Sequence, residues 1–112
     1  MSAITHHAII VTSWRHELLT ALVAHAINLG ATVVGPGAEV TNGYKTVVVV
    51  PDGSKTGWED DVLGNEAREA IRYWLNEQRY DDGSSPLEWV EVAYGNDLST
   101  GAYVVTDATR DR

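Results

Sequence analysis

Cysteine is absent from the chain, and with it go disulfides, thiolate metal sites, iron–sulfur clusters and a cysteine nucleophile. Basic residues are scarce: 8 Lys and Arg stand against 16 Asp and Glu, a formal net charge of −8. A surface that acidic repels a phosphate backbone unless its few cations are gathered, so duplex DNA is not an expected partner. Apolar runs, Val47-Val48-Val49-Val50 among them, stop at four residues. A membrane-spanning helix needs ~20, so no membrane partner is expected. The opening residues lack the basic and apolar regions of a secretion signal, which leads to an expected cytoplasmic location. Phenylalanine is also missing, and all nine aromatics are tryptophan or tyrosine. Such rings suit places where one end is dry and the other wet.

What remains is ordinary for one globular domain: 112 residues, 44% hydrophobic and 21% charged. Residues 6–12 form a short β-branched run that reads as a buried strand. Ser13 follows where a helix N-cap belongs. Leu18, Leu19, Leu22, Val23, Ala26 and Leu29 then make one helical stripe, closed by Gly30. Residues 32–34 restart an extended segment, interrupted by Gly35-Pro36-Gly37. Asn42-Gly43 is a hairpin signal, and it predicts a strand at residues 39–41 paired with one at residues 44–50. The latter is apolar on both faces and is therefore expected to be central.

A second helix carries Leu63, Ala67, Ala70, Ile71, Trp74 and Leu75 on its core side, with Glu59, Asp60 and Asp61 at its start. Residues 82–86 read as a loop, residues 88–94 as a strand, Gly95-Asn96-Asp97 as a turn and residues 102–106 as an edge strand before a frayed tail at residues 107–112. The expected fold is α+β: a ferredoxin-like antiparallel or mixed sheet with two helices on one face and an added C-terminal strand. The opposite face is left for solvent, a ligand or a second subunit.

Most catalytic patterns fail on their defining positions. Gly53-Ser54-Lys55-Thr56 lacks the two glycines of a phosphate-binding loop, and the acidic trio beyond it repels phosphate. His16 and His25 fall on opposite sides of one helix, so no metal ligand pair is expected, and no cofactor is implied. Ser13 lacks the glycines of a nucleophile elbow and reads as a cap. Glu88 and Glu91 alternate across their strand. The aromatics are more informative, because Trp14 and Trp58 stand at loop–helix junctions, while Tyr73 and Tyr80 lie with Arg72 and Asn76 along a helix flank. Bases stack on such rings, and arginine adds a cation–π attraction.

The stretches HHAIIVTSW at residues 6–14, NGY at 42–44, PDGSKTGW at 51–58 and YDDGSSPLEWVEV at 80–92 resemble a family of short hypothetical proteins encoded by bacteriophages. That resemblance, which spans most of the chain, implies an accessory protein of the bacterial host cytoplasm that binds and disables host factors. No activity comes with it. Should the loops meet at one edge, Trp14, Arg15, Tyr44, Lys55, Trp58, Ser84 and Ser85 would line a cleft of rings, hydroxyls and cations suited to a nucleotide. The expectation is a homo-oligomeric binding protein, without catalysis, that sequesters a nucleotide immune signal of the host. Two alternatives stand beside it: an acidic inhibitor that covers a host protein, and a small hydrolase of such a signal, which would need a base near neutral pKa.

Overall fold

The computed structural model describes residues 4–95 and 101–109. The chain folds as β1 (His6–Ser13), α1 (His16–Asn28), β2 (Val33–Val34), β3 (Lys45–Val49), α2 (Glu59–Glu77), β4 (Glu88–Tyr94) and β5 (Tyr103–Asp107). The strands form one open five-stranded sheet in the order β2-β3-β1-β4-β5, antiparallel at every pairing. The architecture is α+β. No helix among the described residues is long and apolar enough to cross a membrane.

Strand register sorts the side chains into two faces, since successive residues of a strand point opposite ways. One face carries the cross-strand row Glu91–Ile9–Val49–Val33 and, beside it, Trp89–Val11–Val47. Both helices deliver their buried residues to the same cluster: Leu19, Leu22 and Ala26 from α1, Ile71 and Leu75 from α2. The second face carries Val34, Val48, Ile10 and Val90 in one row and Ala8, Val92 and Val104 in the next. Those residues are apolar as well.

The first helix buries the stripe its spacing predicts, with Leu18, Val23 and Leu29 packed at the margins of the core. Ser13 is a correction. β1 runs through it and α1 begins only at His16, capped by Arg15 without a side-chain bond. The Ser13 hydroxyl instead accepts the Arg15 amide (3.0 Å) and donates to the Pro86 carbonyl (2.7 Å), so it ties β1 to the loop before β4.

Asn42 and Gly43 do take the positive φ of a tight turn, at 65° and 77°. Residues 39–41, however, are not a strand. The partner of β3 is Val33–Val34, set back beyond Gly35-Pro36-Gly37, and only a short loop of chain, closed by the Val40 amide on the Tyr44 carbonyl, fills the gap. The predicted turn at Gly95-Asn96-Asp97 falls mainly outside the described residues, as does the end of the tail at residues 110–112. Asp107 and Ala108 are not frayed: Asp107 is the last residue of β5, opposite Val90, and Ala108 packs against the core with its amide donating to the Trp89 carbonyl.

The second helix departs furthest from its predicted stripe. Leu63 is exposed, and Arg68 is buried in its place. Gly64 explains part of this, because a Cβ there would stand 1.9 Å from Asp52 Oδ2. The glycine lets the Asp52 carboxylate press against the helix and face Arg68 Nη1 at 3.4 Å. A glycine inside a helix normally gains about 1 kcal/mol on replacement by alanine. Here Gly64→Ala is expected to give no gain, because it expels Asp52. In a Asp52→Ala background the same change should stabilise by about 1 kcal/mol. Urea denaturation of the four variants tests this, and equal effects in both backgrounds would refute the docking role of Gly64.

Candidate functional site

Antiparallel pairing of β1 and β3 sets Ser13 opposite Lys45 and Ile9 opposite Val49. Trp14 and Tyr44 therefore leave the sheet at one end, and Lys55 and Trp58 follow from the other. The 19 residues of α2 then span about 28 Å back across the molecule, bringing Tyr80 and the 82–86 loop to the Trp14 end. Five of the seven predicted site residues thus share an end: Trp14, Arg15, Tyr44, Ser84 and Ser85. Lys55 and Trp58 do not join them. They pair with each other instead, the ammonium lying 4.7 Å from the ring centroid at the start of α2.

The shared end is organised around Arg15. Its guanidinium lies 5.5 Å from the Trp14 ring centroid and 5.9 Å from that of Tyr80, and it donates to the Tyr80 hydroxyl at 3.3 Å. Glu17 holds the Nε side. The Tyr80 bond and the Glu17 carboxylate raise the Arg15 pKa above its ordinary value, so the cation is permanent. Trp14 is 56% exposed, and Tyr80 is exposed as well. His16 fixes the neighbouring turn through Nε2, 2.6 Å from the Gly43 carbonyl oxygen.

Ser84 and Ser85 do not offer free hydroxyls. Ser84 donates its Oγ and amide to Asp82 Oδ1, at 2.6 and 2.9 Å, and these bonds hold the Asp82 carboxyl below its usual pKa. The Ser84 carbonyl accepts the Tyr80 amide, and the Ser85 hydroxyl bridges the amide and carbonyl of Leu87. Both serines shape the loop that presents Tyr80.

Two hollows of the structure do not include Trp14, Arg15 or Tyr80 in their walls. One, of about 440 Å³, lies between the end of α1 and the first half of α2, with Asp52 and Arg68 on its wall. The other, about 600 Å³ and shallow, sits over the stacked His25 and Trp74 rings. The aromatic end presents two exposed rings, Trp14 and Tyr80, each against the half-buried Arg15 guanidinium.

A second polar constellation was hidden in the sequence. Glu91 is 1% exposed on the helix-covered face of β4. Its Oε1 accepts from Arg72 Nη1 at 2.5 Å, while Oε2 lies 3.8 Å from Arg68 Nε and 3.5 Å from His7 Nδ1. Arg68 also meets Asn65 and Asp52. Burial opposes ionisation of Asp52, but bonds from the Ser54 hydroxyl and amide, with the Arg68 charge, outweigh it and hold its carboxyl below the usual range. Arg72, half-buried on the flank of α2, is thereby engaged by Glu91 rather than left free on a surface rim. The legible signals were a glutamate between Trp89 and Ala93 on an apolar strand face, and arginines four apart on α2.

Among the described residues no group of three or more histidine, aspartate and glutamate side chains is placed to hold a metal ion. No family model, curated protein or solved structure matches the chain.

Proposed function

We propose that the protein is a binding module without catalysis that acts by direct contact with another protein, using the Trp14–Arg15–Tyr80 platform as its anchor. The observation that carries this reading is the exposure of the Trp14 and Tyr80 rings, each within cation–π distance of the half-buried Arg15 guanidinium, at one end of the molecule. Trp, Tyr and Arg are the residues that dominate protein interfaces, whereas small-molecule sites are concave and enclose most of their ligand. The net charge of −8 suits a partner with a basic face. Taken with the resemblance to phage-encoded proteins, this describes an accessory protein of the bacterial host cytoplasm that covers a basic surface of a host protein. The strand order β2-β3-β1-β4 with helices after β1 and β3 supports a ferredoxin-like plan, with β5 as an addition at the β4 edge.

Sequestration of a nucleotide is the second reading, favoured by the cation held between two rings. Binding assays separate the two. For a protein partner, Trp14→Ala and Tyr80→Ala should each weaken capture of one defined host protein by more than about tenfold. Rising salt should weaken it further, and cyclic dinucleotides should leave the melting temperature unchanged. A nucleotide at 100 times its Kd would instead add about 2.7 kcal/mol to stability. That shift, lost in Trp14→Ala, would replace the first reading with the second.

A further inference from the structure

We infer that the shallow hollow where α2 faces His25 of α1 is a binding site for an organic ammonium ion with an apolar body. The hollow, of about 600 Å³, has three rings and three carboxylates in its wall: His25, Tyr73 and Trp74 with Glu66, Glu69 and Glu77. His25 stacks on Trp74 with 5.7 Å between ring centroids, and Tyr73 is 69% exposed. Small-molecule sites are concavities of ~300–1,000 Å³, mostly apolar, with a few polar groups that select the ligand. Here the selecting groups are acidic, and among the described residues no lysine or arginine lines the hollow.

Two further observations select a cation. The exposed tryptophans elsewhere hold cations of the chain itself, Arg15 against Trp14 and Lys55 against Trp58. Among the described residues no cation of the chain lies against Tyr73 or Trp74. The arginines of α2 account for this. At ~100° per residue, Glu66, Tyr73 and Glu77 share one stripe of the helix, and Arg68 and Arg72 fall well away from it. Both arginines turn to Glu91 on the sheet, so among the described residues no ion pair engages Glu66, Glu69 or Glu77. Like charges one turn apart on a helix repel, and a bound cation relieves them. A bare metal ion does not suit the hollow, because its carboxylates and His25 are not gathered closely enough to coordinate one. Carboxylates spread around rings suit a bulky ammonium, which gains from ring faces and holds water less tightly than a lysine does. The inference is independent of the Trp14 platform.

Benzyltrimethylammonium, titrated into the full chain at pH 8 and low salt, should shift the Trp74 indole and Ala70 amide signals saturably in two-dimensional NMR. Benzyl alcohol, uncharged but with the same ring, should bind at least about tenfold more weakly. Tyr73→Ala should weaken binding of the cation about three- to fivefold. Glu66→Gln, Glu69→Gln and Glu77→Gln combined should weaken it at least about tenfold. All four side chains are exposed, and an unchanged far-UV circular dichroism spectrum shows that the fold is kept. A matched variant, Glu59→Gln with Asp60→Asn and Asp81→Asn, removes three charges outside the hollow and should bind within about twofold of the wild-type chain. The absence of a saturable shift at Trp74 and Ala70 overturns the inference. Equal binding of benzyl alcohol does so too, since it reduces the hollow to an apolar patch. Equal loss in the matched variant overturns it by assigning the attraction to the charge of the whole chain. Tighter binding of Nα-acetyl-lysine amide than of benzyltrimethylammonium also overturns it, because the hollow would then suit a lysine presented by a protein.

Discussion

Replacing Glu91 by alanine is expected to lower the unfolding free energy by about 3 kcal/mol, because it takes the carboxylate from the half-buried Arg72 and leaves the buried Arg68 only its partners at the rim of the core. Glu91 is the point where Arg68, Arg72 and His7 converge. Without it Arg68 keeps only Asp52 and Asn65, at the rim of the core, and Arg72 loses its partner altogether. Whole-domain stabilities are about 5–15 kcal/mol, so the variant should unfold at markedly lower urea. Arg72→Ala should cost less, since its side chain is partly exposed and Arg68 stays near Glu91. Replacing Glu91, Arg68 and Arg72 together by leucine and methionine should recover much of the loss, because apolar groups of similar volume often match a buried ion cluster in stability. The cluster's value then lies in placement: one carboxylate in an apolar row admits α2 only where residues 68 and 72 face β4. A loss below about 1 kcal/mol for Glu91→Ala, on the scale of an exposed ion pair, would refute this account.

That cluster also marks where reading from the sequence stops. Hydrophobic periodicity works for α1 because every apolar residue of its stripe goes inward and nothing else does. In α2 it places Leu63 inside and Arg68 outside, the reverse of the structure. An arginine can enter a core only opposite a carboxylate, and that carboxylate lies 23 positions away on a strand. No local pattern pairs them. The same limit applies to β3: two apolar faces predict its central place, and it does lie between β2 and β1. Its hairpin partner is nevertheless displaced, because Asn42-Gly43 specifies a turn and not the strand that precedes it.

The candidate site was legible in composition and only partly in place. Tryptophan and tyrosine beside polar turns indicate exposed rings, and Trp14, Trp58 and Tyr80 are exposed. Which turns meet depends on strand direction. Once β1 and β3 are antiparallel, the 51–58 turn must leave from the end opposite Trp14. The serines of the 82–86 loop read as ligand donors from their hydroxyls, yet short-range bonds to Asp82 and Leu87 use those hydroxyls first. Such local bonding is the usual fate of serine in a turn.

Ser13→Ala is expected to separate stability from recognition. The Ser13 side chain is almost fully enclosed and serves two backbone groups, the Arg15 amide and the Pro86 carbonyl. Alanine satisfies neither, and each buried group left without a partner costs about 1–3 kcal/mol. Both bonds are only part-buried and water can reach them in the variant, so the total should fall near the lower end, about 2 kcal/mol. The effect on binding should exceed what that loss suggests. Arg15 is anchored through its amide on one side of this serine, and Tyr80 sits on the loop that Pro86 anchors on the other. Releasing both ends lets the two rings and the guanidinium part, so partner capture should drop more than about tenfold under conditions where the fold persists. Glu91→Ala gives the contrast: a larger loss in urea denaturation with capture nearly unchanged at a temperature where the variant is folded, because α2 delivers its ion pairs far from the platform. If the two variants lose capture in proportion to their loss of stability, the platform is no more than a sensor of global folding and Ser13 has no positioning role.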